Sequence, residues 1–141
     1  VLQSLDVDLV FHKIKQKPGK PLLFGTKSSK IIFGLPGNPA SVLTCFYEYI
    51  LPALDILMQT NQKLPIKKLP INRDYNKKAG LTHFLKARIE DNQVIIGESQ
   101  ESFRLSGFAT ANCLAVVDED ITHIGAGQEI EVHLFPNQIV G

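Results

Sequence analysis

The sequence predicts an α/β segment followed by an all-β unit, and three observations carry that prediction. The stretch IIFGLPGNPAS at 31–41 runs from an apolar segment into a long apolar-periodic one through two prolines and two glycines, the pattern of a strand turning abruptly into a helix. Beyond residue 62 the helical period disappears, and short strand-like runs follow one another between turn residues. Residues 60–63 form a polar break between the two patterns, which places the expected boundary between 1–62 and 63–141.

Each element follows from its residues. Residues 1–5 read as the last turn of a helix. Residues 7–14 (VDLVFHKI) are β-branched and apolar, a strand with Lys13 near its end and Lys17 just past it. KPGKP at 17–21 is a turn, with proline and glycine setting the dihedrals. Residues 22–25 and 31–34 form a strand pair around TKSSK. Asn38 then serves as N-cap, with Pro39 at the first helical position, where its missing N–H costs nothing. Val42, Phe46, Tyr49 and Ile50, Ala53 and Leu57 recur at three and four, so the helix should end near residues 58–61, kinked by Pro52. The later strands are expected at 64–72, 82–90, 93–97, 112–118 and 128–135, with a tight turn at Asp91-Asn92. A small barrel or sandwich is the expected form. The first 60 residues or so hold too few elements to bury a good α/β core, so they look like the end of a larger α/β domain.

Composition narrows the function classes. With 44% hydrophobic and 21% charged residues, the 141-residue chain is of ordinary globular type. No apolar run reaches the roughly 18 residues of a membrane span, and no secretory leader is visible, so no membrane partner is expected. Cys45 and Cys113 match no zinc or redox spacing and read as buried small hydrophobes, which suits a reducing, cytoplasmic setting.

The net charge of +1 hides a segregation. From Leu9 to Tyr47 there is no acid, while Lys13, Lys15, Lys17, Lys20, Lys27 and Lys30 supply six positive charges. From Ile89 onward there are nine acids and one basic residue, Arg104. An acid-free run ending at a helix N-terminus suits an anionic partner. No nucleic-acid motif appears, so nucleic acid is not expected; a small phosphorylated ligand fits better.

KPGKPLLFG at 17–25, followed by GLPGNPAS at 34–41, resembles the C-terminal half of the MoeA family, the molybdopterin molybdenumtransferases, to which the E domain of gephyrin belongs. Ser99-Gln-Glu-Ser102, Ala111-Asn-Cys113 and a closing GQEIEV strand at 127–132 extend the resemblance over essentially the whole chain. It implies the last part of a molybdopterin-binding α/β domain followed by a small β-barrel domain. It also implies a role in molybdenum cofactor biosynthesis: full-length members insert molybdate into adenylated molybdopterin and release AMP, with Mg²⁺. Members are usually homodimers, working with a MogA-type adenylyltransferase.

Carried over residue by residue, Lys13 and Lys17 match the family's two functional lysines. Their spacing on an extended strand would keep both on one face. Lys20 is the second lysine of KPGKP, supporting the turn or touching ligand. Pro36, Gly37, Asn38 and Pro39 match the loop that lines the pocket; Ser41 either donates its hydroxyl or caps the helix. Ser102 matches a ligand-site serine, although Glu101 stands where a glycine is usual. No metal ligand is expected within this chain, the Mg²⁺ ligands lying upstream in the family. Asp118, Glu119 and Asp120 read as a solvated turn. The histidines at 12, 83, 123 and 133 show no ligand spacing, with His133 alternating outward. Lysines that neutralise developing charge make a catalytic nucleophile unnecessary. The alternative is a non-catalytic module of the same family, binding a pterin or nucleotide phosphate or scaffolding a partner protein.

Overall fold

Among the described residues, 2–61, 63–98, 100 and 106–136 of a computed structural model, a three-stranded sheet, a six-stranded sheet, a two-stranded ribbon and one broken helix form the main elements. A 3₁₀ turn (Gln3–Leu5) precedes β1 (Asp8–His12), which pairs antiparallel with β3 (Leu23–Lys27). β3 continues into β4 (Lys30–Gly34) through a turn at Ser28 and Ser29, so the expected strand pair is a tight hairpin. Phe11, Phe24 and Phe33 pack as tilted rings across the three strands, with centroids 5.7 and 5.0 Å apart.

The helix begins at α1 (Pro39–Cys45), passes through a π-helical turn (Phe46–Ile50) and ends as α2 (Leu51–Met58). The expected kink is thus a change of helical register. Leu51 N–H donates to Phe46 O, five residues back. This wider turn lies directly before Pro52, which has no N–H and would otherwise crowd the carbonyl four residues behind it. Gln59, in the left-handed region at φ 53°, stops the helix within the expected span.

The larger sheet has the strand order β2 (Gln16–Lys17), β7 (Thr82–Glu90), β9 (Cys113–Val117), β11 (Glu129–Leu134), β5 (Ile66–Pro70), with β8 (Gln93–Ile96) also on β7. β7 and β8 turn at Asp91 and Asn92, both at positive φ, as the sequence predicts. A two-stranded ribbon joins β6 (Tyr75–Asn76) to β10 (His123–Ile124), and a short α3 (Ser106–Ala109) precedes β9. An isolated parallel bridge, Ile71 to Val94, draws the end of β5 toward β8. Among the described residues no ladder completes the circle there, so the structure is a mixed-sheet fold with few helices and the expected closed barrel is not established.

Core residues alternate along these strands: Leu69, Leu85, Ala87, Val94, Ile96, Cys113, Ala115, Val117, Ile130 and Val132 bury one face together with Ile71 and Ile124. This cluster draws on residues 69–132 alone. In the first part, Leu9, Val10, Ile56, Leu57 and Met58 are 49–75% exposed. That agrees with the expectation that these few elements cannot close an α/β core by themselves. The continuous helical run Pro39–Met58, 20 residues with mean hydropathy 1.4 and 17% buried, is long and apolar enough to cross a bilayer by length and composition. This corrects the expectation that no run reaches that length. Glu48 and Asp55 lie within it, and Tyr47 stacks on Phe135 of the larger sheet region at 4.2 Å.

Candidate functional site

KPGKP is held against the helix by a residue that sequence reasoning passed over. Gln16, 2% exposed, donates from Nε2 to Pro18 O at 2.9 Å, approaches Cys45 Sγ at 3.8 Å and accepts from the Tyr49 hydroxyl. Gly19 closes the turn at φ 93°, and a Cβ there would lie 2.7 Å from both Cys45 Sγ and Gln16 Nε2. Backbone bonds from Lys13 N to Leu22 O and from Ile14 N to Lys20 O, each 2.9 Å, complete the loop. The Lys17–Pro18 peptide is cis.

This arrangement corrects the expected lysine geometry. β1 ends at His12, and Lys13 follows in the left-handed region at φ 70°. Lys17 belongs to β2, which leaves the first sheet and pairs in parallel with β7, placing Lys17 opposite His83. The two lysines therefore do not share one face of a continuous strand. The reversal after Lys13, needed to bring KPGKP back against the helix, removes the periodicity on which that expectation rested. Lys13, Lys17 and Lys20 are all exposed.

At the second motif Asn38 caps the helix as predicted. Its Oδ1 accepts from Ala40 N at 3.0 Å and from Ser41 N at 3.4 Å, and its carbonyl accepts from Val42 N at 2.9 Å. Pro39 has no N–H to offer. The first turn is therefore internally satisfied, so an anion there would compete with Asn38 for the donors. Ser41, 5% exposed, belongs to the buried face with Ala40, Thr44 and Cys45. Gly37 behaves differently from Gly19: its φ is not left-handed, and a Cβ would meet nothing within 4 Å. The fold does not need glycine at 37. Ser102 lies outside the described residues.

Of the predicted site residues that are described, only Lys17 lines a cavity between the KPGKP turn and the larger sheet. This cleft of about 190 Å³ is bounded by Lys17, Pro18, Tyr75, His83, Phe84, Leu85 and Gln100. The Tyr75 hydroxyl and His83 Nδ1 lie 2.8 Å apart. Burial, then the positive charges of Lys77 and Lys17, push the His83 pKa below its ordinary value. Gln100 is committed to the backbone, donating to Lys86 O and Gly97 O and accepting from Lys86 N. Lys86, 5% exposed, lies 5.6 Å from the centroid of the Phe108 ring.

A second cavity, about 260 Å³, lies between the helix and β5 and β11 and includes Tyr47, Glu48, Pro52, Ile66 and His133. His133 Nδ1 meets both oxygens of Glu48 at 2.8 and 2.9 Å, and Nε2 meets Glu131 at 2.9 Å. Burial alone would lower the His133 pKa, but the two carboxylates, Glu48 foremost, raise it to about 8. His133 does alternate away from the sheet core, as expected, yet the helix covers it. Both cysteines are free and buried, their thiols pushed up to about 11 at Cys45 and about 12 at Cys113. Glu119 takes part in a surface ion pair with Lys15 at 3.8 Å. Among the described residues no group of three or more His, Cys, Asp or Glu side chains is placed to hold a metal ion.

Comparison with known proteins gives two family regions in succession. Residues 3–56 match the model described as a probable molybdopterin binding domain, and residues 68–135 match the MoeA C-terminal region (domain IV). A molybdopterin molybdenumtransferase of Synechocystis is 35% identical over 109 residues, covering 76% of this chain and 27% of the relative. One from Haemophilus influenzae is 30% identical over 138 residues, covering 93% of this chain and 34% of the relative. The crystal structure of a molybdopterin biosynthesis moeA protein from Pyrococcus horikoshii superposes with a TM-score of 0.79 at 26% identity, over 92% of this chain and 33% of that one. The chain thus spans about a third of the length of these relatives or less. With both regions matched in order and curated and solved members aligned along them, the chain belongs to the MoeA family, over its C-terminal portion.

Proposed function

We propose that the chain serves molybdenum cofactor biosynthesis as the C-terminal part of a molybdopterin molybdenumtransferase, which inserts molybdate into adenylated molybdopterin and releases AMP. The observation that carries this reading is the delivery of Lys17, by the β2–β7 pairing, to a cleft where the two family regions meet. Adenylated molybdopterin carries phosphates and molybdate is a dianion. A lysine beside a partly enclosed cleft lowers the energy of such charges and of charge that develops as the adenylate is cleaved.

In this reading Lys13 and Lys17 act on the reacting phosphates. Lys20, Pro36, Gly37, Asn38, Pro39, Ser41 and Ser102 form the substrate-binding wall. Gly37 supports this role, because the space beside it is left open by the fold and is free for a ligand to approach. The division at 62/63, a full-length homodimer, Mg²⁺ held by residues elsewhere, a MogA-type adenylyltransferase as supplier and a cytoplasmic setting belong to the same proposal. So does a small-barrel reading of the larger sheet, which the Ile71–Val94 bridge supports.

The test is molybdenum insertion measured with adenylated molybdopterin and molybdate. The 141-residue chain alone is expected to insert none, whereas a full-length transferase that contains it should be active. Efficient insertion by the isolated chain would overturn the assignment of the metal chemistry to residues outside it.

A further inference from the structure

Tyr75 and His83 form a polar pair in the Lys17 cleft that the family motifs do not account for. His83 lies on β7 directly opposite Lys17 on β2, and Tyr75 lies on β6 with its hydroxyl 2.8 Å from His83 Nδ1. Burial raises the Tyr75 pKa, so its hydroxyl stays protonated at neutral pH and can donate to Nδ1. With the hydroxyl donating, the neutral imidazole carries its proton on Nε2, which leaves His83 one N–H donor in the cleft that Lys17 also lines.

We propose that His83, oriented by Tyr75, shares with Lys17 a seat for the phosphate group of a phosphorylated ligand, and that the seat takes up a proton when the phosphate binds. The inference rests on the proposed function for the identity of the ligand, but the residues it adds to Lys17, Tyr75 and His83, come from the second half of the chain.

Charge bookkeeping around His83 gives the proton uptake. The charged groups that act on it are Lys17 from β2 and Lys77, just beyond β6, both cationic. Lys77 Nζ donates to Leu81 O at 2.9 Å and to Glu119 O at 3.1 Å, while the Glu119 carboxylate is turned to Lys15. On β9 the residue opposite His83 is Val117, which carries no charge. Burial and these two lysines therefore disfavour imidazolium. A bound dianion offsets the two lysines and accepts from Nε2, so it favours imidazolium. Ligand and proton then bind cooperatively, and affinity rises as pH falls through the pKa that His83 has in the complex.

Sulfate is a suitable probe, since it remains a dianion over the range in which His83 titrates. The 141-residue chain is titrated with sulfate between pH 5.5 and 8 while the imidazole resonances are followed by NMR, His83 being assigned through His83→Gln. Sulfate should raise the His83 pKa, and its affinity should increase by about tenfold from the alkaline to the acid end. His83→Gln should leave weaker binding with no such pH dependence, and Lys17→Ala should abolish what remains. Tyr75→Phe keeps the ring and should weaken sulfate binding a few-fold while preserving proton uptake. Failure of sulfate to bind, or binding that leaves the His83 titration unmoved, overturns the inference. The proposed function fails separately: unchanged molybdenum transfer by a full-length Lys17→Ala transferase would refute it without altering the sulfate result.

Discussion

At Gly19 the backbone sits at φ 93° and a side chain would meet Cys45 and Gln16; at Gly37 neither constraint applies. The two motif glycines therefore separate fold from function. Gly19→Ala should destabilise the chain by about 1–3 kcal/mol, through a left-handed residue and an overpacked contact, measurable by urea unfolding. Gly37→Ala should leave stability within about 0.5 kcal/mol yet weaken binding of a phosphorylated pterin, because its Cβ enters space the fold leaves open. Equal loss of stability in both would refute the distinction. Asn38→Ala removes the acceptor for Ala40 and Ser41 N–H and should cost about 1 kcal/mol.

Glu48 belongs to the π-helical turn and His133 to β11, so their contact ties the helix to the larger sheet. His133 has its pKa raised from 6.5 to about 8 in the folded state, and the Glu48 side chain is 8% exposed. The contribution is fully present below about pH 6.5 and is lost as pH rises through about 8. Its size is about 2 kcal/mol, and unfolding midpoints measured from pH 6 to pH 9 should fall accordingly. His133→Gln should flatten that dependence.

Elements of this length were legible in the sequence. β7 coincides with its expected span, and the helix cap, the Asp91-Asn92 turn and the helix end follow from local chemistry. β2, β6 and β10 were not legible. Each has two residues, and each exists only because a distant strand supplies its hydrogen bonds. The same long-range pairing moved Lys17 away from Lys13 and made Gln16, a polar residue in an apparent loop, a buried hub. Tyr75 and His83 gave no spacing signal, since their contact depends on the tertiary approach of β6 to β7.

Across the whole molecule, one closed core at residues 69–132 supports a first part whose sheet and helix leave large apolar side chains uncovered. At about 25 cal/mol per Å² of apolar surface, covering that face would be strongly favourable. The isolated chain should therefore associate as its concentration rises, which sedimentation would detect; a strict monomer would mean that this face does not drive association. The charge segregation along the sequence is not a single cluster in the fold, since Lys17 lines the cleft whereas Lys27 and Lys30 flank the β3–β4 turn. The central claim is that Lys17 holds ligand anion at the junction of the two family regions. It is tested most directly by the affinity of the chain for molybdopterin with and without Lys17→Ala. The account predicts weak binding that falls by about tenfold or more in the variant, the loss of one charge-assisted hydrogen bond; equal affinity in the two proteins would contradict it.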